Sequence, residues 1–180
     1  DRARMLYAAA DRLAARQEDV ARSIARETGN ALRTQARGEV QLAVDTLRYF
    51  AGLAGELKGQ TIPLGEDVLS YTRREPLGVV GAIIPWNGPV GLACLKIAPA
   101  VIAGNTIVVK AAEDASLCVL ELAEGLHECL PSGVVNVVTG LGEEAGAALS
   151  AHSGGHKLTF TGSDRKSTRL NSSHGYISYA

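Results

Sequence analysis

Four short apolar runs, at residues 79–84, 106–110, 134–138 and 157–161, constrain the fold of this chain more than any other feature. They read Val-Val-Gly-Ala-Ile-Ile, Thr-Ile-Val-Val-Lys, Val-Val-Asn-Val-Val and Lys-Leu-Thr-Phe-Thr. Strands that read as continuous Val/Ile runs, without apolar–polar alternation, are buried on both faces, as in parallel sheets. Stretches long enough for helices lie between them, at about 90–103, 115–130 and 143–151. A βαβαβαβ order with right-handed crossovers predicts a doubly wound parallel sheet, an α/β nucleotide-binding architecture. Pro99 should kink its helix or begin a new turn.

The first part of the chain has a different texture. Residues 3–27 are expected to be one helix, with Leu6, Leu13, Val20 and Ile24 on one face and arginines and acids opposite. Gly29-Asn30 ends it. A second helix is expected over 37–54, with Val40, Val44, Leu47 and Phe50 as its stripe. Residues 55–65 form a glycine-rich loop. From 67 to 74, Val68, Ser70 and Thr72 alternate with Leu69, Tyr71 and Arg73, which suggests a strand with one face in water. The domain reading is therefore N-terminal helices at 1–65, a β excursion at 66–77 and a nucleotide-binding unit at 78–163.

Composition narrows the function. With 46% hydrophobic and 21% charged residues the chain reads as soluble and globular. A net charge of -1, with basic residues scattered, argues against a nucleic-acid partner. No apolar run is long enough to span a membrane. Asp1-Arg2-Ala3-Arg4 leads into an amphipathic stretch rather than a secretory h-region. The chain does not begin with Met, so its natural start is expected upstream. Cys94, Cys118 and Cys129 fit no zinc spacing, lie in apolar helical stretches and read as small hydrophobes in a reducing cytoplasm. His127, His152 and His156 read as surface or helix-end residues, and no metal site is expected.

Ile83-Ile84-Pro85-Trp86-Asn87 puts a primary amide at the end of the first apolar run. In open α/β sheets, ligands bind outside the carboxyl ends of strands. A side-chain amide there donates two hydrogen bonds without titrating, which suits it to hold an oxyanion. On local chemistry alone, the same residues also fit a plain turn with a packed indole. Lys110 ends the second run with Glu113 three residues on, which is either a ligand site or a surface ion pair. Gly140-Leu141-Gly142-Glu143-Glu144-Ala145-Gly146 is a weak pattern that a tight strand-to-helix turn also explains.

Five motifs share an order and spacing. They are Arg74-Glu75-Pro76-Leu77-Gly78 leading into Ile83-Ile84-Pro85-Trp86-Asn87, then Lys96-Ile97-Ala98-Pro99-Ala100 with Ala103-Gly104-Asn105-Thr106. Val108-Val109-Lys110-Ala111-Ala112-Glu113, Gly133-Val134-Val135-Asn136-Val137-Val138 and Thr159-Phe160-Thr161-Gly162-Ser163 follow. Over residues 1–163 the chain resembles the amino-terminal, cofactor-binding part of the NAD(P)-dependent aldehyde dehydrogenase superfamily. The resemblance implies that Asn87 and a cysteine backbone N–H hold the thiohemiacetal oxygen. It implies that Lys110 and Glu113 bind the adenosine ribose, so NAD is preferred to NADP, because a carboxylate repels a 2′-phosphate. It further implies cofactor contacts from Ile83, Ile84, Pro85, Trp86, Ala112, Gly142, Gly146 and Phe160, with Gly162 and Ser163 opening a phosphate-binding helix.

The family's nucleophilic cysteine and glutamate base have no match in this chain. The expectation is a truncated, inactive fragment of an aldehyde dehydrogenase, cytoplasmic, whose parent is a homo-oligomer (a dimer or tetramer) acting on a small-molecule aldehyde. An acylating, CoA-dependent relative and a non-catalytic nucleotide-binding module are the alternatives. The family's excursion reaches a neighbouring subunit, whereas a solvent-facing hairpin would read the same way. Residues 164–180 are polar, without apolar period, and resemble a translated sequencing adapter. They are expected to be non-native, with a natural disordered tail as the other reading.

Overall fold

The computed structural model describes residues 1–162 and the backbone of 177–179. Helix α1 (Arg2–Ala15) and helix α2 (Gln17–Thr28) meet at Arg16, whose φ of -107° and ψ of 15° leave the helical region. The single helix expected over 3–27 is thus two. Leu6, Leu13 and Val20 recur every seven residues, and a straight helix rotates such a stripe by about 20° per heptad. The break at Arg16 lets both halves bury their apolar residues. Gly29, at φ 76°, ends α2 with its N–H on the Ala25 carbonyl. A π-helical turn, Leu32–Ala36, leads into α3 (Arg37–Gly52).

Strands β1 (Thr61–Pro63) and β2 (Leu69–Tyr71) form an antiparallel ribbon, so part of the expected loop at 55–65 is a strand. Only Ser70 is half-buried, and Leu69 is 81% exposed. The expectation of one dry face fails here, because every other residue of the two strands is exposed on both faces of the ribbon.

The rest alternates as expected. Strand β3 (Val79–Ile83) is followed by α4 (Pro89–Ile102), β4 (Thr106–Lys110), α5 (Leu117–His127) and β5 (Val135–Val138). A π-helical turn (Gly142–Gly146) then runs into α6 (Ala147–Ala151) and β6 (Lys157–Phe160). Pro99 sits in the last turn of α4, which continues through it to Ile102. Strand β7 (Ile177–Tyr179) pairs with β6, where no element was expected. The origin assigned to the rest of that tail, 164–176, lies outside the described residues.

The sheet is parallel, in the order β5-β4-β3-β6-β7. On one face, Val80, Ala82, Ile84, Ile107, Val109 and Val135 join the helices in the main core. On the other, Ile83, Leu158 and Phe160 form a small cluster with Leu149. Beside it an open groove of about 320 Å³ is lined by Val79, Val108, Leu149 and Leu158, so burial on both faces holds for the middle of β3 but not for Val108. The chain runs outward from β3 to β5 and then returns to β6 on β3's other side. That reversal makes a switch point, and ligands bind outside the carboxyl ends of the strands that flank it.

Candidate functional site

The strand ends lie level. Ile83 is opposite both Lys110 and Phe160, and Lys110 is opposite Val138. Ile84 N–H donates to the Lys110 carbonyl at 3.2 Å, and Thr161 N–H to that of Ile83 at 3.0 Å. The loops after β3, β4, β5 and β6 therefore leave from a single edge.

Asn87 is exposed on the first loop, beside Trp86 at 50% exposure and half-buried Pro85. The first donors of α4 are fully accounted for. Pro89, at N1, has no N–H to place. Val90 and Gly91 N–H groups both donate to Oε1 of Glu39, at 2.8 and 3.1 Å, and Leu92 N–H to the Gly88 carbonyl at 2.9 Å. Burial pushes the Glu39 carboxyl up, and the two backbone donors oppose that shift. Asn30 Nδ2 donates to the Asn87 carbonyl at 3.2 Å. The sequence alone does not mark Glu39 or Asn30 as a site residue. The available signal was a helix opening on Gly88-Pro89 without a capping side chain, whose donors had to find a partner elsewhere.

Lys110 is buried, at 2% exposure, and its Nζ lies 2.8 Å from Oε2 of Glu113. Ala112 is buried, and its carbonyl accepts from Ser116 Oγ at 2.8 Å. Glu27 accepts from the N–H groups of Leu117 and Cys118, each at 2.7 Å, and so caps α5. The helix starts after β3 and β4 thus already hold carboxylates from α2 and α3. An anion at this edge would need donors elsewhere, such as the turn after β6.

The remaining expected residues divide. Ile83 and Phe160 wall the small cluster, whereas the Ile84 side chain points into the main core and offers the edge only its backbone. Gly142 opens the π-helical turn and Gly146 closes it, buried against Ile83. A Cβ on Gly162 would lie 2.6 Å from Cζ of Phe160, so any side chain there must push the Phe160 ring aside. Ser163 lies outside the described residues.

Cys94 and Cys118 are fully buried. Burial, reinforced by the charge of Glu39, pushes Cys94 up to about 12, and burial also raises Cys118. Neither is a thiolate near neutral pH. Cys129 is half-buried in the turn after α5, not in the helix expected to run to residue 130. Among the described residues no histidine, cysteine and carboxylate cluster could hold a metal, and no helix is long and apolar enough to cross a membrane. His127 Nε2 lies 2.8 Å from the Val135 carbonyl, and His156 Nδ1 accepts from Val79 N–H at 3.2 Å.

The sequence profile of the Aldehyde dehydrogenase family matches residues 1–175. An aldehyde dehydrogenase of Enchytraeus buchholzi is 46% identical over 164 residues, which is 91% of this chain and 33% of that protein. The chain thus spans about a third of the length of the curated relatives it matches. The NAD+ complex of an aldehyde dehydrogenase from Bacillus cereus superposes with a TM-score of 0.90 at 38% identity, over 99% of this chain and 37% of that one. A glyceraldehyde-3-phosphate dehydrogenase from Methanocaldococcus jannaschii complexed with NADP gives 0.93 at 33% identity, over 99% and 40%.

Proposed function

Because the chain belongs to the aldehyde dehydrogenase family, we propose that it forms the adenosine-binding and oxyanion-holding part of an enzyme that oxidises an aldehyde to a carboxylic acid with NAD. The observation that carries this reading is the Lys110–Glu113 pair, in one row with the strand that presents Asn87. An ammonium donor and a carboxylate acceptor 2.8 Å apart match a vicinal diol, whose hydroxyls accept from one and donate to the other. The negative charge of Glu113 disfavours a 2′-phosphate, which selects NAD over NADP.

Bound NAD supplies the acceptor for the aldehyde's hydride. Asn87 donates its amide hydrogens to the oxygen that becomes negative when a thiolate adds to the carbonyl. That thiolate is none of Cys94, Cys118 or Cys129, since burial raises all three and fully encloses the first two. It comes from outside these residues, as does the base that activates water. Pro85 and Trp86 line the approach to Asn87, and the turn at Gly162 offers a donor to the pyrophosphate. The bare β1–β2 ribbon, with Leu69 and Tyr71 in water, is the surface through which copies of the parent associate.

The test is a ligand-observed NMR titration of this chain with NAD and NADP in competition. Saturation transfer should fall on the adenosine ribose protons of NAD, and NADP should displace it poorly. Equal binding of the two, or transfer confined to the nicotinamide end, would overturn the assignment of Lys110 and Glu113.

A further inference from the structure

We propose that Asn30 and Glu39 are positioning residues for Asn87, and that they hold its loop from both sides. This rests on the reading of Asn87 as the oxyanion donor. An oxyanion donor is effective only if its direction is set before the reaction. The loop between β3 and α4 does little to set that direction itself. Its cap position is Gly88, which has no side chain, and Pro89 gives no donor. Asn87 and Trp86 are exposed, so packing does not restrain them either.

The restraint comes from the residue just past the end of α2 and from the first turn of α3. Asn30 Nδ2 grips the Asn87 carbonyl and so fixes the peptide plane that follows the Asn87 Cα. Two residues past that plane, Glu39 Oε1 takes the N–H groups of Val90 and Gly91. The two holders belong to one short unit. Gly29 ends α2, and the turn between them is tied by the Ala31 N–H to Gln35 Oε1 at 2.9 Å. Both bonds from α4 fall on the same oxygen of Glu39, so what the loop needs is an acceptor at that point and not a charge. The N-terminal helices thereby do more than cover the sheet: they aim the amide.

Trp86, the chain's only tryptophan, reports on the loop directly. We would compare wild type, Glu39→Ala, Glu39→Gln and Asn30→Asp by acrylamide quenching of Trp86 and by amide exchange at Val90 and Gly91, with far-UV circular dichroism as the control for folding. Glu39→Ala should speed exchange at both amides at least about five-fold, as expected for a lost cap, and should raise the quenching of Trp86 above that of wild type. Glu39→Gln should restore both readouts, because its carbonyl oxygen can take both bonds. Asn30→Asp removes the donor at constant shape and should raise the quenching of Trp86 while leaving Val90 and Gly91 protected. Wild-type behaviour in Glu39→Ala, or failure of Glu39→Gln to rescue, would overturn the proposal. If Glu39→Ala does not fold, Asn30→Asp decides, since its bond is exposed, and an unchanged Trp86 there sinks the idea. None of these readouts needs cofactor or aldehyde. A held loop with no NAD binding would therefore count against the function, and a loose loop with NAD binding intact would count against the positioning alone.

Discussion

Replacing Lys110 in two ways separates its structural from its binding contribution. The side chain is 2% exposed, so its stem is core and only its ammonium is addressed to Glu113. Lys110→Ala deletes three buried carbons, at about 0.8 kcal/mol per methylene, or about 2.4 kcal/mol before any cavity term. With incomplete collapse of the site the loss should reach roughly 2.5–4 kcal/mol. Lys110→Met refills that space with a chain of similar length. It breaks the ion pair, but the Glu113 side chain is 32% exposed and stays solvated, so the cost should be under about 1 kcal/mol. At about 3 °C per kcal/mol for a chain of this size, the alanine variant should melt roughly 7–12 °C lower and the methionine variant within about 3 °C of wild type. Denaturant midpoints at constant m-value give the same ordering. NAD affinity should fall in both variants, by roughly 10- to 150-fold in Lys110→Met, the worth of one charged hydrogen bond. Undiminished NAD binding by Lys110→Met would refute the ribose contact. A methionine variant as unstable as the alanine one would refute the claim that the stem, and not the ion pair, carries the stability.

Three further outcomes are expected. Arg37 grips the Glu18 carboxyl at 2.7 and 2.9 Å, with Arg22 at 3.1 Å, and holds it below its ordinary value. Its stabilising contribution is therefore present above the ordinary carboxylate value and lost as pH falls through the depressed one. An acid melt monitored by helical circular dichroism should show a loss that Glu18→Gln, already without the charge, does not repeat. Gly162→Ala forces Phe160 aside and should cost about 1–3 kcal/mol in denaturant unfolding, while weakening NAD binding at the same turn. A neutral substitution there would show that the turn has room to spare. In native thiol labelling near neutral pH, Cys129 should react first, with Cys94 and Cys118 reacting only on unfolding, and simultaneous labelling would contradict their burial.

The strands were legible because the chain declares them chemically. Buried parallel strands need unbroken Val/Ile runs, and the runs at 79–84 and 106–110 cover β3 and β4 within a residue. The break at Arg16 was not legible, since no glycine or proline marks it and one apolar stripe runs through it. The ribbon's alternation reads as a half-buried strand, because a period of two says which residues share a face and not whether anything covers it. The family's motifs point to Lys110, Glu113, Asn87 and Gly162 as residue types at strand ends, but a motif does not say which atoms face the edge. Ile84 belongs to the same run as Asn87, and its side chain lies in the main core, which leaves its backbone to the edge.

What the sequence by itself determined is local. It carries the strand and helix periodicities, the glycine that stops α2 at φ 76°, and the residue types present at the strand ends. What only the tertiary structure decided is which distant groups meet. Glu39 lies 51 residues from Val90, Glu27 lies 90 residues from Leu117, and Asn30 lies 57 residues from Asn87. The first two complete helix starts at the carboxyl edge and the third ties the loop before α4, and no period or propensity encodes them. A helix terminus requires that its donors be satisfied but does not specify by whom, and the partner is chosen only when the N-terminal helices dock on the sheet.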